Sequence, residues 1–581
     1  MAERVQLGTV DELHKKGCLT GKVGTQPVCV FWSDGAAYAV DDRCPHMGFP
    51  LHRGTVEGGL LTCHWHHARF DLSSGGTLDP FADDVGAYPV EVDDDGVWVL
   101  VEAPADRVPH LLQRLEEGLE QGLSLVMAKA VLGLFDALGP AEAIPAILGA
   151  GTAFGVRYRE AGWGSGLTVL TAMANVLDAL DPADRPLALV HGLVFVARDT
   201  TGAPRFPLEP LSADLPADRL GAWYRRFVGT RSGDAAERTL ATATRATFSA
   251  SALAGIMGAA VTDHVFVDGG HTVDFTNKAF EMVEHLGPDR AVEILPTLAQ
   301  QTAGASRSEE SSEWRHPHPL ADLLARAEAD LPGRMTAVIG RSFGGDEDVD
   351  ALAWAVLGDE PAEILAALDR AVDAGATAEE LARAVAYAAA LRITRFHIQN
   401  DHRDWDVVHH GFTSANAVHQ LVCRNGSPEV VRGVYQGALK VFLDRFLNLP
   451  PARSPATHQA AATKPDLADL QACWDRQGMV DEAGAIVYGW LINGGSKAEV
   501  LAVLGSALLA EDAGFHWFQT YEAAARQLAA WPDGSEQQAL ILAGTARWLA
   551  AHTPTRRELP QVVRIATRLR RGDPLYELAE G

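Results

Sequence analysis

Four residues within one short stretch combine the two side chains best suited to holding iron. Cys44-x-His46 is followed, after a gap of 16 residues, by Cys63-x-x-His66. Each half offers one thiolate and one imidazole. Two thiolates on one iron and two imidazoles on the other complete a mixed-ligand [2Fe–2S] cluster, whose chemistry is electron transfer. The surroundings suit loops that wrap such a cluster: Pro45 and Gly48 shape the first turn, and PLHRG (Pro50 to Gly54) and ARFD (Ala68 to Asp71) flank the ligands.

A second group of chemistry-bearing residues lies far downstream. Asp263-His264 precedes His271 by the same spacing with which Asp401-His402 precedes His409. Aligning Ala279 with Ala417 superposes both D-H-x6-H segments without a gap, together with Asp268 on Asp406. Two such segments from two halves of a pseudo-symmetric helical bundle would supply metal ligands from facing helices. Neutral imidazoles suit Fe(II), and Asp268, Asp274, Glu281 and Asp406 are the carboxylates placed to ligate it or to orient the imidazoles. The expected second metal set is therefore His264, His271, His402 and His409. His191 and His516 lie in apolar helical stretches and read as core residues or extra ligands, with core favoured. His316 and His318, in RSEESSEWRHPHP, read as a loop with ionic contacts.

The elements that must position these groups differ along the chain. RVQLGTV, PVCVFW, AAYAV, GGLLTC and GVWVLVE are β-rich and bounded by Gly, Asp or Pro, which predicts a small antiparallel barrel over residues 1–102. EAPADRVP is a polar linker. From Leu111 the apolar residues recur at helical spacing, and Ala, Leu, Glu and Arg dominate. The expected fold class is multidomain α+β: a small all-β barrel, then a large all-α region of repeated helical units. PAEAIPAIL, DAAERTLAT, PAEILAALD and SKAEVLAVL each open a helix with an early glutamate, as the helix dipole favours. The domain boundaries read as 1–102 for the cluster domain, 109–450 for a catalytic domain with the iron site, and 467–581 for a C-terminal helical repeat packed on it, after the Pro/Ala linker of 450–466.

The chain of 581 residues carries 49 Lys+Arg against 76 Asp+Glu, a net charge of −27, and no basic cluster. Nucleic acid and anionic membrane are therefore excluded as expected partners. There is no signal pattern at the start and no apolar run of membrane-spanning length, so a cytoplasmic protein is expected. Cys18, Cys29, Cys423 and Cys473 lack metal spacing and read as free thiols in that compartment.

Residues 44–71 resemble the Rieske domains of ferredoxins and bacterial ring-oxygenases, and the resemblance covers about residues 4–102. In high-potential respiratory Rieske proteins a second cysteine in each loop forms a disulfide and a hydroxyl donates to cluster sulfur. Here those places hold Phe49, Trp65 and Ala68. Fewer hydrogen bonds to sulfur stabilise the reduced cluster less, so the potential is expected in the lower part of a range of roughly −150 to +300 mV. The D-x2-H-x4-H iron motif of two-domain Rieske oxygenases is absent: Ser414 and Thr276 stand where its last histidine would be. The helical part is similar instead to the questin-oxidase-like family of histidine-rich enzymes, through Gly270-His271, Lys278-Ala279 and His409-His410-Gly411-Phe412. Some of its members resemble non-haem iron oxygenases whose iron is bound by histidines and a carboxylated lysine. That resemblance implies Lys278 and Glu281 as catalytic residues; the competing reading of Lys278 is a surface lysine paired with Glu281 or Glu284.

Two functions follow. One is an oxygenase in which a separate reductase feeds the [2Fe–2S] cluster, the cluster feeds Fe(II), and an apolar or aromatic small molecule is oxidised with O2. The resemblance is compatible with a homo-oligomer in which the cluster serves a neighbouring subunit. The alternative is a ferredoxin-like electron carrier fused to a helical partner-binding scaffold without a second metal.

Overall fold

The computed structural model describes residues 3–101, 107–159, 162–200, 202–246, 248–310, 318–400, 402–457, 464–573 and 575. They form two compact units, one of residues 1–150 with 559–581 and one of residues 151–558. A small antiparallel β region is followed by a large helical region, as expected. The division differs from the boundaries at 102, 109, 450 and 467: helices beyond the barrel belong to the first unit, and so does the end of the chain.

The first unit contains ten strands: β1 (Glu3–Gly8), β2 (Cys18–Val23), β3 (Gln26–Ser33), β4 (Ala36–Asp41), β5 (Thr55–Glu57), β6 (Leu60–Thr62), β7 (Arg69–Asp71), β8 (Ala87–Tyr88), β9 (Val90–Asp93) and β10 (Gly96–Val101). They pair as β1-β10-β9, β2-β3-β4-β8 and β5-β6-β7. Alternation along β3 serves two cores at once. Val28 and Val30 pack with Leu13, Leu19, Val97 and Val99, while Cys29 and Phe31 pack with Leu51, Leu61, Phe70 and the two ligand cysteines. Successive strand side chains point to opposite faces, so a strand buried on both sides reads as a continuous apolar run. Helix α1 (Val10–Lys16) is fixed by a Thr9/Glu12 capping box and stops at Gly17, where φ is +75°.

The described residues of this unit also include α2 (Val108–Gln121), α3 (Ser124–Leu138), the first part of the helix Pro140–Tyr158 and, from later in the chain, residues 559–571 of the helix Glu558–Arg571. The buried Arg114 of α2 donates to the carbonyls of Pro80 (3.0 Å) and Ala82 (2.9 Å) and pairs with Asp83 at 3.1 Å. Lys129 of α3 pairs with Asp83 at 3.1 Å and donates to the carbonyl oxygens of Pro45 and His46. Arg570 pairs with Asp136. Arg114 and Lys129 thus tie α2 and α3 to the barrel loops, and Arg570 ties the last helix to α3; such ionic contacts are invisible to hydrophobic periodicity.

The second unit is helical. Its centre is built from α4 (Ser165–Val176), α5 (His271–Leu286), α6 (Ala378–Thr394), α7 (His402–Arg424), α8 (Pro428–Leu443), α9 (Phe515–Leu528) and α10 (Glu536–His552). α4, α5, α7 and α9 pack against one another, and α6 and α10 pack beside them. The start of α5 is set by a sharp turn: Asp268, Gly269 and Gly270 all have positive φ. A Cβ at Gly270 would stand 2.8 Å from Ser414 Cβ, so this glycine lets α5 begin directly against α7. No described helix is long and apolar enough to cross a membrane.

Arg114→Met should destabilise the first unit by about 3 kcal/mol, because it leaves Asp83 and two loop carbonyls short of a buried partner. Faster amide hydrogen exchange in the β-strands of residues 1–101, with no change in residues 151–558, would be the expected readout.

Candidate functional site

The Cys44 and Cys63 loops are built alike. Cys44 N–H donates to Phe49 O (2.8 Å) and Gly48 N–H to Cys44 O (2.7 Å). Cys63 N–H donates to Ala68 O (2.8 Å) and His67 N–H to Cys63 O (3.0 Å). Each loop therefore closes by the same pair of bonds, and the fifth residue of each, Gly48 or His67, has positive φ. The two thiols are buried at 2% and 1% exposure and hydrogen bond to one another, which holds Cys63 down at about 6. The imidazoles lie outward, with His46 and His66 rings 4.8 Å apart. Burial, with the nearby Lys129 and His66 charges, lowers His46 to about 4. His46 Nδ1 is buried without a hydrogen-bond partner. A neutral imidazole with an orphaned nitrogen and a paired set of thiols is the donor set a [2Fe–2S] cluster requires, with the histidine side facing an electron partner.

In the helical unit, four imidazoles meet. His271 opens α5, His409 and His410 lie on α7, and His516 lies in the first turn of α9. One nitrogen from each of His271, His410 and His516 falls within 4.8 Å of the others. His271 Nε2 and His410 Nε2 are 3.2 Å apart. His409 stacks behind them, its ring centroid 4.0 Å from that of His516 and 4.1 Å from that of His410. It is fully buried, and neither ring nitrogen has a hydrogen-bond partner. Burial, then the neighbouring imidazoles, pushes His409 well below the usual histidine range; burial also lowers His271. Phe275, Phe515 and Trp548 surround the group. Three converging imidazoles with a buried fourth behind them are a donor set that could hold a divalent transition metal.

Beneath the imidazoles runs a buried polar layer. His271, Asp274, Lys278, Glu281 and His285 recur at steps of three and four, so they share one face of α5. Gln519 of α9 donates to Asp274. Lys278 Nζ lies 2.9 Å from both Glu281 and Glu522, and all three side chains are essentially inaccessible. Asn175 of α4 donates to Glu281 (2.7 Å) and Glu522 (3.0 Å). Burial raises Asp274 to about 7. For Lys278, burial opposes the charge, but Glu281, Glu522 and Asp274 together raise its affinity for the proton. Burial likewise opposes the Glu281 charge, which Lys278, Arg526 and Arg424 nonetheless hold down at about 2.

The structure brings some of the sequence candidates together and separates others. Cys44, His46, Cys63 and His66 lie together in the first unit, and His271 and His409 lie together in the second. His264 is apart from the imidazole group, paired with Glu309 at 2.7 Å. Asp268 is exposed and hydrogen bonds to Ser306. The side chains of His402 and Asp406, and all of His316, lie outside the described residues. Lys278 is a buried lysine and not a surface one; it pairs with Glu281 and also with Glu522, a partner more than 200 residues away in sequence. Held as an ammonium about two helical turns from His271, it is not poised to take up CO2 as a carboxylated ligand. Glu281 likewise faces Lys278 and Asn175, away from the imidazoles. His191 bonds to Leu509 O within the core. His410 and His516 are the additions. The usable signal was the pattern of His followed by a polar residue three later, which opens both α5 (His271, Asp274) and α9 (His516, Gln519).

Residues 3–89 match the family model described as the Rieske [2Fe-2S] domain. The anthranilate 1,2-dioxygenase ferredoxin subunit of Burkholderia cepacia is 30% identical over 102 residues, 17% of this chain and 94% of that protein. Human apoptosis-inducing factor 3 is 32% identical over 79 residues, and the match spans 13% of either chain. The ferredoxin of carbazole 1,9a-dioxygenase from Nocardioides aromaticivorans IC177 is 25% identical, with 18% of this chain and 100% of that chain covered at a TM-score of 0.17.

Lys278→Met should cost about 3–5 kcal/mol in urea unfolding, since Glu281 and Glu522 would be left as buried carboxylates without their cation. The Asp274 carboxyl has the opposite sign of pH dependence from a paired carboxylate. Its pKa is raised on folding from 3.8 to about 7, so its contribution to stability is full below pH about 4 and is lost as the pH rises through about 7. Asp274→Asn should therefore gain stability relative to the parent protein between pH about 5 and about 8, measured by urea unfolding at each pH.

Proposed function

Through residues 3–89 this chain belongs to the Rieske [2Fe–2S] domain family, and we propose that it is an oxygenase that joins this electron-transfer domain to a non-haem Fe(II) site in the helical unit. It oxidises an apolar or aromatic small molecule with O2, drawing electrons from a separate reductase or ferredoxin. The observation that carries the reading is the convergence of His271, His410 and His516, backed by the unpartnered His409, in a chain that also carries an electron-transfer domain. When bound, the cluster supplies single electrons and the iron supplies oxygen activation.

The remaining work falls to the chain's own residues. His271, His410 and His516 would offer ring nitrogens to the metal, and His409, whose nitrogens have no partner, packs behind them. Phe275 and Phe515 pack against His271 and Trp548 against His409, while His271, His410 and His516 remain half-buried and reachable by a substrate. A mostly apolar cavity of about 30 Å³, lined by Val261, Phe266, Gly270, Val273 and Val418 among others, adjoins the turn before His271. It is sized for dioxygen or one water molecule. Asp274, titrating near neutrality one turn from His271, can hold and release a proton inside the dry interior. Lys278 and Glu281 act as positioning residues: with Glu522 and Asn175 they set the register of α4, α5 and α9 and hence the spacing of the imidazoles.

Purified protein should contain about three irons per chain, two from the cluster and one from the helical unit. His410→Ala and His516→Ala should each lower the content to about two while leaving the cluster's visible spectrum and its reducibility intact. His409→Ala should weaken iron retention in the same direction. Iron content unchanged in all three variants would instead favour an electron carrier on a helical scaffold.

A further inference from the structure

Away from the imidazole group, the other half of α7 presents a second constellation that the oxygenase reading does not use. His419 and Cys423 are one helical turn apart on α7, so both side chains lie on the same face. Glu379 stands in the first turn of α6, which packs along α7. The approach there is close: a Cβ on Gly426 would stand 3.4 Å from Ala378 Cβ. One ligand atom from each of Glu379, His419 and Cys423 lies within 4.8 Å of the others. Glu380, not Glu379, closes the capping box with Thr377, which leaves the Glu379 carboxylate facing the group.

The orientation of His419 is the second, independent observation. The residue is 3% exposed, and its Nε2 is buried without a hydrogen-bond partner. Its Nδ1 meets the Gln527 amide, 3.2 Å from Oε1 and 3.1 Å from Nε2. Gln527 Nε2 donates to Asn416 Oδ1 at 2.8 Å. In the tautomer in which Nδ1–H donates to Oε1, Nε2 is the ring nitrogen left with a lone pair and no protein partner. An imidazole whose far nitrogen is fixed by an amide and whose near nitrogen is left unpaired is arranged as a metal ligand is.

We propose that Glu379, His419 and Cys423 form a separate site for a thiophilic divalent cation, Zn2+, with a water completing the fourth position. One imidazole, one thiolate and one carboxylate are a zinc-type donor set, and the separations need only side-chain adjustment to reach bonds of about 2.0–2.3 Å. The cation displaces the Cys423 thiol proton to solvent, forming a Zn–S bond in its place. It then joins the start of α6 to the later half of α7, the helix whose other half carries His409 and His410. The proposal is independent of iron binding and of oxygenase activity.

The test uses the full-length protein, rinsed of loose metal with a chelator and then titrated with Zn2+. Iodoacetamide alkylation is followed at the Cys423-containing peptide by mass spectrometry, a readout that metal at the cluster or at His271 does not report. Stoichiometric Zn2+ should slow alkylation of Cys423 by about tenfold or more, and Glu379→Gln and His419→Asn should each raise the Zn2+ needed by about tenfold or more. Unchanged alkylation with Zn2+, or protection equal to the parent's in either folded variant, would overturn the proposal. Glu379 is exposed, so Glu379→Gln decides the matter even if His419→Asn does not fold.

Discussion

The ammonium of Lys278, fully buried between Glu281 and Glu522, is the contact on which the helical unit most depends. Two carboxylates and one ammonium removed from water are tolerable only at hydrogen-bonding distance and with their remaining lone pairs filled. Asn175 fills them from α4, Arg526 from α9, and Arg424 reaches Asn277 from α7. A slip of one residue in any of these helices would strand a charge in the interior. The same register that satisfies this layer places His271, His410 and His516 around one point, one to two turns above. The charge layer is thus a structural clamp whose product is the imidazole geometry.

The cluster domain solves a different problem, that of holding two short loops side by side on three small sheets. Each loop is closed by its own cysteine's amide and carbonyl, so the thiols are fixed by backbone while the imidazoles remain near the surface. This asymmetry suits electron transfer: the sulfur side is dry and packed on Phe70, Leu61 and Leu51, and the histidine side is open to a partner. Lys129, an addition from α3, places a cation against the first loop, at the carbonyls of Pro45 and His46. The unit is therefore more than a ferredoxin barrel, because the adjoining helices and the end of the chain bear on the cluster loops.

Charge matching recurs wherever segments distant in sequence come together. Arg114 with Asp83, Arg570 with Asp136, and Lys278 with Glu522 each join elements at least 31 residues apart. In a strongly acidic chain the buried cations Arg114 and Lys278 are scarce partners, and each specifies an arrangement that apolar packing alone would leave degenerate; the Arg570–Asp136 pair is exposed.

The local sequence was sufficient for the cluster domain. Cys-x-His and Cys-x-x-His place ligand side chains by turn geometry over a few residues, and β alternation with bounding Gly and Asp residues sets the strands around them; those constraints are short-range and can be read in order. The helical region was legible as helical for the same reason, since periodicity is local. Its site was not. The repeat alignment selected His264, yet the sharp turn at Asp268–Gly270 separates it from His271 and turns it toward Glu309. His516 sits in an apolar stretch that reads as core, and no spacing rule connects it to His271 or His410 across gaps of more than 100 residues. Helix packing decides which faces meet. That choice depends on the sum of buried ion pairs and close approaches such as Gly270 against Ser414, which exist only once α4, α5, α7 and α9 are assembled.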